Sequence, residues 1–170
     1  MRKAKLPTFS GLILVEPIMV VAATIMLIAA PILNQREPVT AFDVCTSKQK
    51  QLTFATIMYA AENDAIFPGS ENIWEDIWVS KDVLKCPVDK SQADISYAYN
   101  ANLSHVHLGE IEFPETISLV ADSEREDTLM TEVADIALRH KRGETVAVIV
   151  SFVDGHVSWY SESNIGEVLF

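Results

Sequence analysis

The hydrophobic pattern along the chain divides it into three regions. Residues 10–33, SGLILVEPIMVVAATIMLIAAPIL, form an almost unbroken apolar run. A helix of about 20 residues crosses the hydrocarbon core of a bilayer, so this run is long enough to span one. Pro31 and Pro38 interrupt or kink the helix near its outer end. Over residues 39–63 the period becomes helical. Cys45, Leu52, Ala55 and Tyr59 recur at offsets of seven, three and four, which places them on one amphipathic face. Pro68 and Gly69 in NDAIFPGSEN end that helix. Short elements come next. IWEDIWV (73–79) reads as a short helix or turn, residues 95–99 as a strand, and TISLVAD (116–122) as a strand bounded by Pro114. EVADIALRHKRG (132–143) reads as a short helix or turn ended by Gly143. The clearest hairpin joins residues 146–153 and 156–160 through Asp154-Gly155, a tight-turn pair. The pattern predicts an α+β chain, with a long N-terminal helix whose first half spans a membrane and whose second half packs on a small antiparallel sheet.

Charge gives this helix a direction. The net charge is -11, unevenly placed. Arg2, Lys3 and Lys5 precede the apolar run without an acid among them, whereas acids dominate later, as in SENIWED and DSERED. By the positive-inside rule the N-terminus lies in the cytoplasm and the acidic body outside it. An acidic surface argues against a nucleic-acid partner, because phosphate binding needs clustered Lys and Arg. The short cluster Arg139, His140, Lys141, Arg142 is too small to reverse that. The two cysteines, Cys45 and Cys86, both fall on the outer side. An even count in an oxidising compartment permits one disulfide, and two unpaired thiols are the alternative.

One carboxylate, Glu16, interrupts the apolar run. A charge at the centre of a spanning helix costs about 2.5–3.5 kcal/mol, so its presence requires a reason. A cleavable secretory signal has a shorter apolar region with a small-residue cleavage site after it, whereas here Gly11 comes before the run. The head MRKAKLPTFSG followed by LILVE resembles the leader and start of a type IV prepilin. The resemblance implies cleavage after Gly11 by a prepilin peptidase, methylation of the new N-terminal Leu12, and Glu16 as the fifth mature residue. The positive amine of Leu12 then needs a counter-charge inside a filament core, and Glu16 of a neighbouring subunit supplies it. A plain signal anchor with a tolerated Glu is the alternative. Leu12 and Ile13 stand where the family usually has Phe and Thr, and Pro17 follows Glu16 directly.

Downstream, Cys45, then KQKQLTFATIMYAAENDAIFP, CPVD, SYAYN, LVAD and finally RH…FVDGHV resemble one pilin-like family, which carries a C-terminal His, nine residues, Asp-Gly motif. His140, Asp154 and Gly155 match the motif residues, but thirteen residues separate His140 from Asp154. The resemblance implies a leader over 1–11, a transmembrane and filament-core helix over 12–34, the outer half of the long helix over 35–67, and a small α+β domain over 68–170. It also implies a structural subunit of a type IV pilus or a type II secretion-like pseudopilus. Its partners are then other pilin-like subunits, a prepilin peptidase and an inner-membrane assembly platform. The precursor sits once through the inner membrane with its globular domain in the periplasm, and the product is a periplasmic or extracellular filament. A membrane-tethered periplasmic domain that binds a ligand or metal without polymerising is the rival reading.

Enzymatic chemistry finds little support. His105 and His107 share a face if their stretch is a strand, and with Asp122 or Asp154 they offer zinc ligands, yet the spacing matches no standard metal signature. Asp89, Asp94, Asp122 and Asp154 are candidate calcium ligands, with solvated loop acids as the plainer reading. Neither cysteine sits in a recognisable Cys/His catalytic pattern, and there is no Gly-x-Ser-x-Gly or Gly-rich phosphate loop. Trp74, Trp78 and Trp159 read as core or edge packing. No cofactor is implied.

Overall fold

The computed structural model describes Val20, Val21 and residues 39–170. Gly11, Leu12 and Glu16, the leader and nearly all of the apolar run lie outside the described residues, and so do the expectations placed on them. Among the described residues no helix is long and apolar enough to cross a membrane. The chain divides into two compact units, the second of which is Val39–Phe170.

This second unit opens with α1 (Ala41–Glu62). The helix begins with its own cap. Thr40 has extended backbone, its Oγ1 accepts from the Asp43 amide at 3.2 Å, and the Asp43 carboxylate accepts from the Thr40 amide at 2.9 Å. These bonds satisfy two of the donors that a helix start leaves open. Within residues 39–67 the helix is capped at Thr40, with Asn63 at its C-cap, and residues 63–67 are not helical. Thr40→Ala removes the cap and is expected to cost about 1 kcal/mol, read as a lower urea midpoint at unchanged slope.

The predicted helix face is rotated. Cys45 and Leu52 are buried, but Ala55 and Tyr59 are only half-buried, and Gln49, Thr53, Thr56 and Ala60 take the inner positions. Polar residues are tolerated there because their donors find acceptors, although Gln49 Oε1 is buried without a hydrogen-bond partner among the described residues. Thr53 donates to the Gln49 carbonyl at 2.7 Å and Thr56 to the Leu52 carbonyl at 2.9 Å, the i−4 bond open to a helical threonine. The outer face carries Phe54 and Met58, both exposed. This mixed pattern is why hydrophobic periodicity alone misjudged the face.

A four-residue helix, α2 (Ile73–Asp76), buries Ile73. The sheet is built from β1 (Tyr97–Asn100), β2 (Ser118–Asp122), β3 (Leu129–Met130), β4 (His140–Arg142), β5 (Thr145–Phe152) and β6 (Val157–Ser161). It is mixed rather than purely antiparallel, because β3 joins the edge of β1 in parallel. All other pairs are antiparallel. Central β5 pairs β6 along one edge. Ala147 faces both His140 and Ser161, and Val150 faces both Ala121 and Ser158, so β2 and β4 lie end to end along the opposite edge. Residues 132–143, read from sequence as a short helix or turn, hold a 3-10 turn at Val133–Asp135 and then strand β4. That stretch has too few residues to show a period, and its pairing with β5 decides its state.

One face of the sheet packs against α1, with Tyr97, Tyr99, Leu119, Val120 and Ile149 meeting Cys45 and Leu52. The other face forms a second cluster around Ala121, Val148, Val150 and Phe152. A sheet covered on both sides explains the nearly continuous apolar run of β5.

Candidate functional site

Four elements deliver polar groups to one point beneath α1. Cys45 lies one turn into the capped helix. Cys86 opens the turn CPVD, in which Pro87 occupies the position that favours its fixed φ and the Asp89 amide closes back on the Cys86 carbonyl at 3.0 Å. Asp122 is the last residue of β2 and His140 the first of β4. Cys45, Cys86 and Asp122 are fully buried, and His140 is 1% exposed.

The Cys45 and Cys86 sulfurs lie 2.6 Å apart and belong to free thiols. His140 Nε2 is 3.8 Å from Cys86 Sγ and 3.1 Å from Asp122 Oδ2. Phe42 meets the imidazole edge-on at 5.7 Å between centroids. Asp122 Oδ2 also accepts from Gln49 Nε2 at 3.3 Å and from the Ile149 amide at 3.4 Å, and Gln49 donates to the Ile149 carbonyl at 2.7 Å. Lys48 ties the helix to the loop before Cys86 by donating to the carbonyls of Asp82 and Lys85.

Charges alternate outward from this point. His140 pairs with Asp122, whose other oxygen lies 3.7 Å from Arg139 Nε. Arg139 Nη1 lies 3.0 Å from Asp89, and Asp89 lies 2.9 Å from Lys85, the most exposed member of the chain. Burial alone lowers the pKa of His140, but hydrogen bonds to Asp122 and Cys86 outweigh it and raise it to about 9. Burial pushes Asp122 up, opposed chiefly by His140. These two directions favour opposite protonation of the pair. We assign imidazolium and carboxylate, because two donors besides His140 reach Oδ2, and Arg139 puts a second positive charge 3.7 Å from Oδ1, which has no hydrogen-bond partner of its own among the described residues. Burial also works against ionised Asp89, but bonds from the Ser96 hydroxyl, the Ser91 amide and Lys85 hold it well below the usual carboxylate range. The bond with Cys45 lowers Cys86 most, burial opposes it, and His140 lowers it further; the bond with Cys86 and burial push Cys45 up.

The chemistry open to this cluster is narrow. The donor atoms of Cys45, Cys86 and His140 all lie within 4.8 Å of one another. Two thiolates on one tetrahedral ion stand about 3.8 Å apart, given metal–sulfur bonds near 2.3 Å. At 2.6 Å the sulfurs are nearer a mutual covalent bond than a shared ion. Complete burial also keeps both sulfurs from a substrate docked on the folded surface, so exchange with a small thiol requires local opening of the domain.

Other predicted site residues are dispersed. Asp154 and Gly155 form the β5–β6 turn, with Gly155 at φ +93° and Asp154 Oδ1 accepting from the His156 amide at 3.0 Å. His140 pairs beside the opposite end of β5, so the two halves of the His…Asp-Gly motif do not meet. The four candidate calcium ligands do not converge. Asp94 and Asp154 are exposed, while Asp89 and Asp122 share Arg139, a cation already in place. His107 accepts from the Gly109 amide and His105 faces Glu71, both in exposed surroundings away from Asp122. Trp74 donates to Thr128 Oγ1 at 2.8 Å, whereas Trp78, expected to pack, is 92% exposed at φ 51° and borders an open groove of about 1040 Å³.

Sequence reasoning named all four residues of the buried cluster and paired the two cysteines as a candidate disulfide, but did not bring Asp122 and His140 to them. It missed Gln49, Arg139 and Lys48 as their partners. The order Cys, CPVD, LVAD, RH was visible, but no spacing rule places a helix, a turn and two strands at one point. Compared with known proteins, the chain matches no family model, no curated protein and no solved structure.

Proposed function

We propose that this protein is a structural subunit of a type IV pilus or a type II secretion-like pseudopilus, cleaved after Gly11 and polymerised through its apolar N-terminal segment. The observation that carries this reading is Glu16. It stands fifth from Leu12 in a run with no other charge, behind a basic head that ends in Gly11. A carboxylate there is tolerable once the new N-terminal amine of a neighbour pairs with it. The partners are other pilin-like subunits, a prepilin peptidase and an inner-membrane assembly platform.

Two features of the globular unit support an assembly role. Its most concentrated titratable chemistry is sealed under a helix, which suits mechanical integrity rather than turnover. The outer face of α1 leaves Phe54 66% and Met58 40% exposed, one helical turn apart, an apolar strip that a neighbouring subunit covers in a packed filament.

Intact mass and N-terminal sequencing of protein purified from its own membranes test the reading. The expected chain starts at Leu12 and is one methyl group heavier than calculated. Glu16→Ala is expected to insert in the membrane normally and fail to enter filaments. A chain that retains Met1, with Glu16→Ala silent, is the behaviour of a tethered domain and overturns the proposal.

A further inference from the structure

We propose that Cys45 and Cys86 are joined as a disulfide in the mature protein, and that His140, clamped by Asp122, is a positioning residue that holds Cys86 as the thiolate whenever that bond is opened. The cluster contains more than a cross-link needs. Two sulfurs suffice for a bond, yet a buried imidazole stands 3.8 Å from one of them, with its ring nitrogen turned to a buried carboxylate at 3.1 Å. Burying two ionisable groups is costly, and neither is required to close a disulfide. The arrangement is also asymmetric. Cys86 borders the imidazolium, while Cys45 borders the Tyr97 hydroxyl, which has no other partner. A cationic neighbour stabilises a thiolate, and a stabilised thiolate makes the corresponding disulfide easier to reduce.

The chemistry balances with a low-molecular-weight disulfide as oxidant. The thiol of Cys45, the thiolate of Cys86, one proton and one oxidised glutathione give the protein disulfide and two reduced glutathiones. Two sulfur atoms lose one electron each, and the glutathione disulfide gains both. Reduction by glutathione therefore releases one proton when Cys86 emerges as thiolate, and none when both cysteines emerge as thiols. The titratable and charged groups facing the Cys86 sulfur are Cys45 from α1, Tyr97 from β1, Asp122 from β2 and His140 from β4, with Arg139, Asp89 and Lys85 behind them.

Presence of the bond in the cell rests on the proposed pilin-like function, which puts this domain outside the cytoplasm. The exchange equilibrium does not, so the two fail separately. The full chain in detergent is alkylated under denaturing conditions without reductant and weighed. A mass with no added label is expected, and two labelled cysteines overturn the bond. The same protein is then equilibrated with glutathione buffers at several pH values below the glutathione thiol pKa. The reduction constant is expected to rise about tenfold for each pH unit, one proton per bond opened. In His140→Gln the slope is expected to vanish and the balance to shift about tenfold toward the disulfide. A residue that merely packs gives no such change in slope. A wild-type constant indifferent to pH overturns the role of His140, and this measurement stands even if the variant does not fold.

Discussion

Asp122→Asn is expected to cost about 3–5 kcal/mol of stability, the range for breaking a buried ion pair and leaving one partner uncompensated. The substitution nearly keeps the shape of the side chain and removes its charge. His140 then stays 1% exposed without its counter-ion, 3.1 Å from a neutral amide, and Arg139 loses the carboxylate 3.7 Å from its Nε. The same pair predicts how wild-type stability depends on pH. Asp122 holds the folded pKa of His140 above an ordinary 6.5, so the folded state keeps a proton that the unfolded chain releases. The value of about 9 belongs to the reduced protein, in which Cys86 adds to the effect of Asp122. In the disulfide form the contribution is fully present below pH 6.5 and is lost as pH rises through the folded value that Asp122 sustains. Urea midpoints should therefore fall across this window in the wild type and stay nearly flat in Asp122→Asn. A wild-type midpoint that rises with pH over the window contradicts the assignment of imidazolium.

Cys86→Ser is expected to lower the stability of the oxidised protein by about 4 kcal/mol. The two cysteines are 41 positions apart, and closing a loop of that length removes chain entropy of this order from the unfolded state. For a unit of this size the loss corresponds to a fall in melting temperature of roughly 10–20 °C. Reductant should bring the wild type down by a similar amount and leave Cys86→Ser unmoved. Thermal unfolding followed by tryptophan fluorescence, with and without reductant, checks both. If reductant shifts the two proteins equally, the loop is not cross-linked. The shift should be confined to the cross-link, because the polar neighbours Gln49, Asp122 and His140 keep their own bonds when the sulfurs separate.

The two variants probe different kinds of contribution. Loss of the cross-link acts mainly by freeing the unfolded chain, whereas loss of Asp122 acts on the folded state, where a buried charge is left alone. The sites share Cys86 and His140 as close neighbours, so their effects should not add. A double variant that loses less than the sum measures how far the sulfur pair and the charge chain form one unit.

What the linear pattern determined is local. Thr40 and Asp43 are three residues apart and form a capping box wherever they occur before a helix. Pro87 in CPVD dictates a turn, and Asp154-Gly155 dictates a hairpin, because each rests on backbone sterics within four residues. The charge asymmetry across the apolar run and the isolated Glu16 are likewise facts of order along the chain. The tertiary structure decided everything that depends on distant contact. β4 is a strand because β5 pairs with it, not because His-Lys-Arg favours extension. Gln49, Thr53 and Thr56 face inward because carbonyls and a carboxylate stand ready for them, which a hydrophobicity count cannot register. The meeting of Cys45, Cys86, Asp122 and His140 joins residues spread over most of the unit, and only the packing of α1 across β2, β4 and β5 brings them to one point.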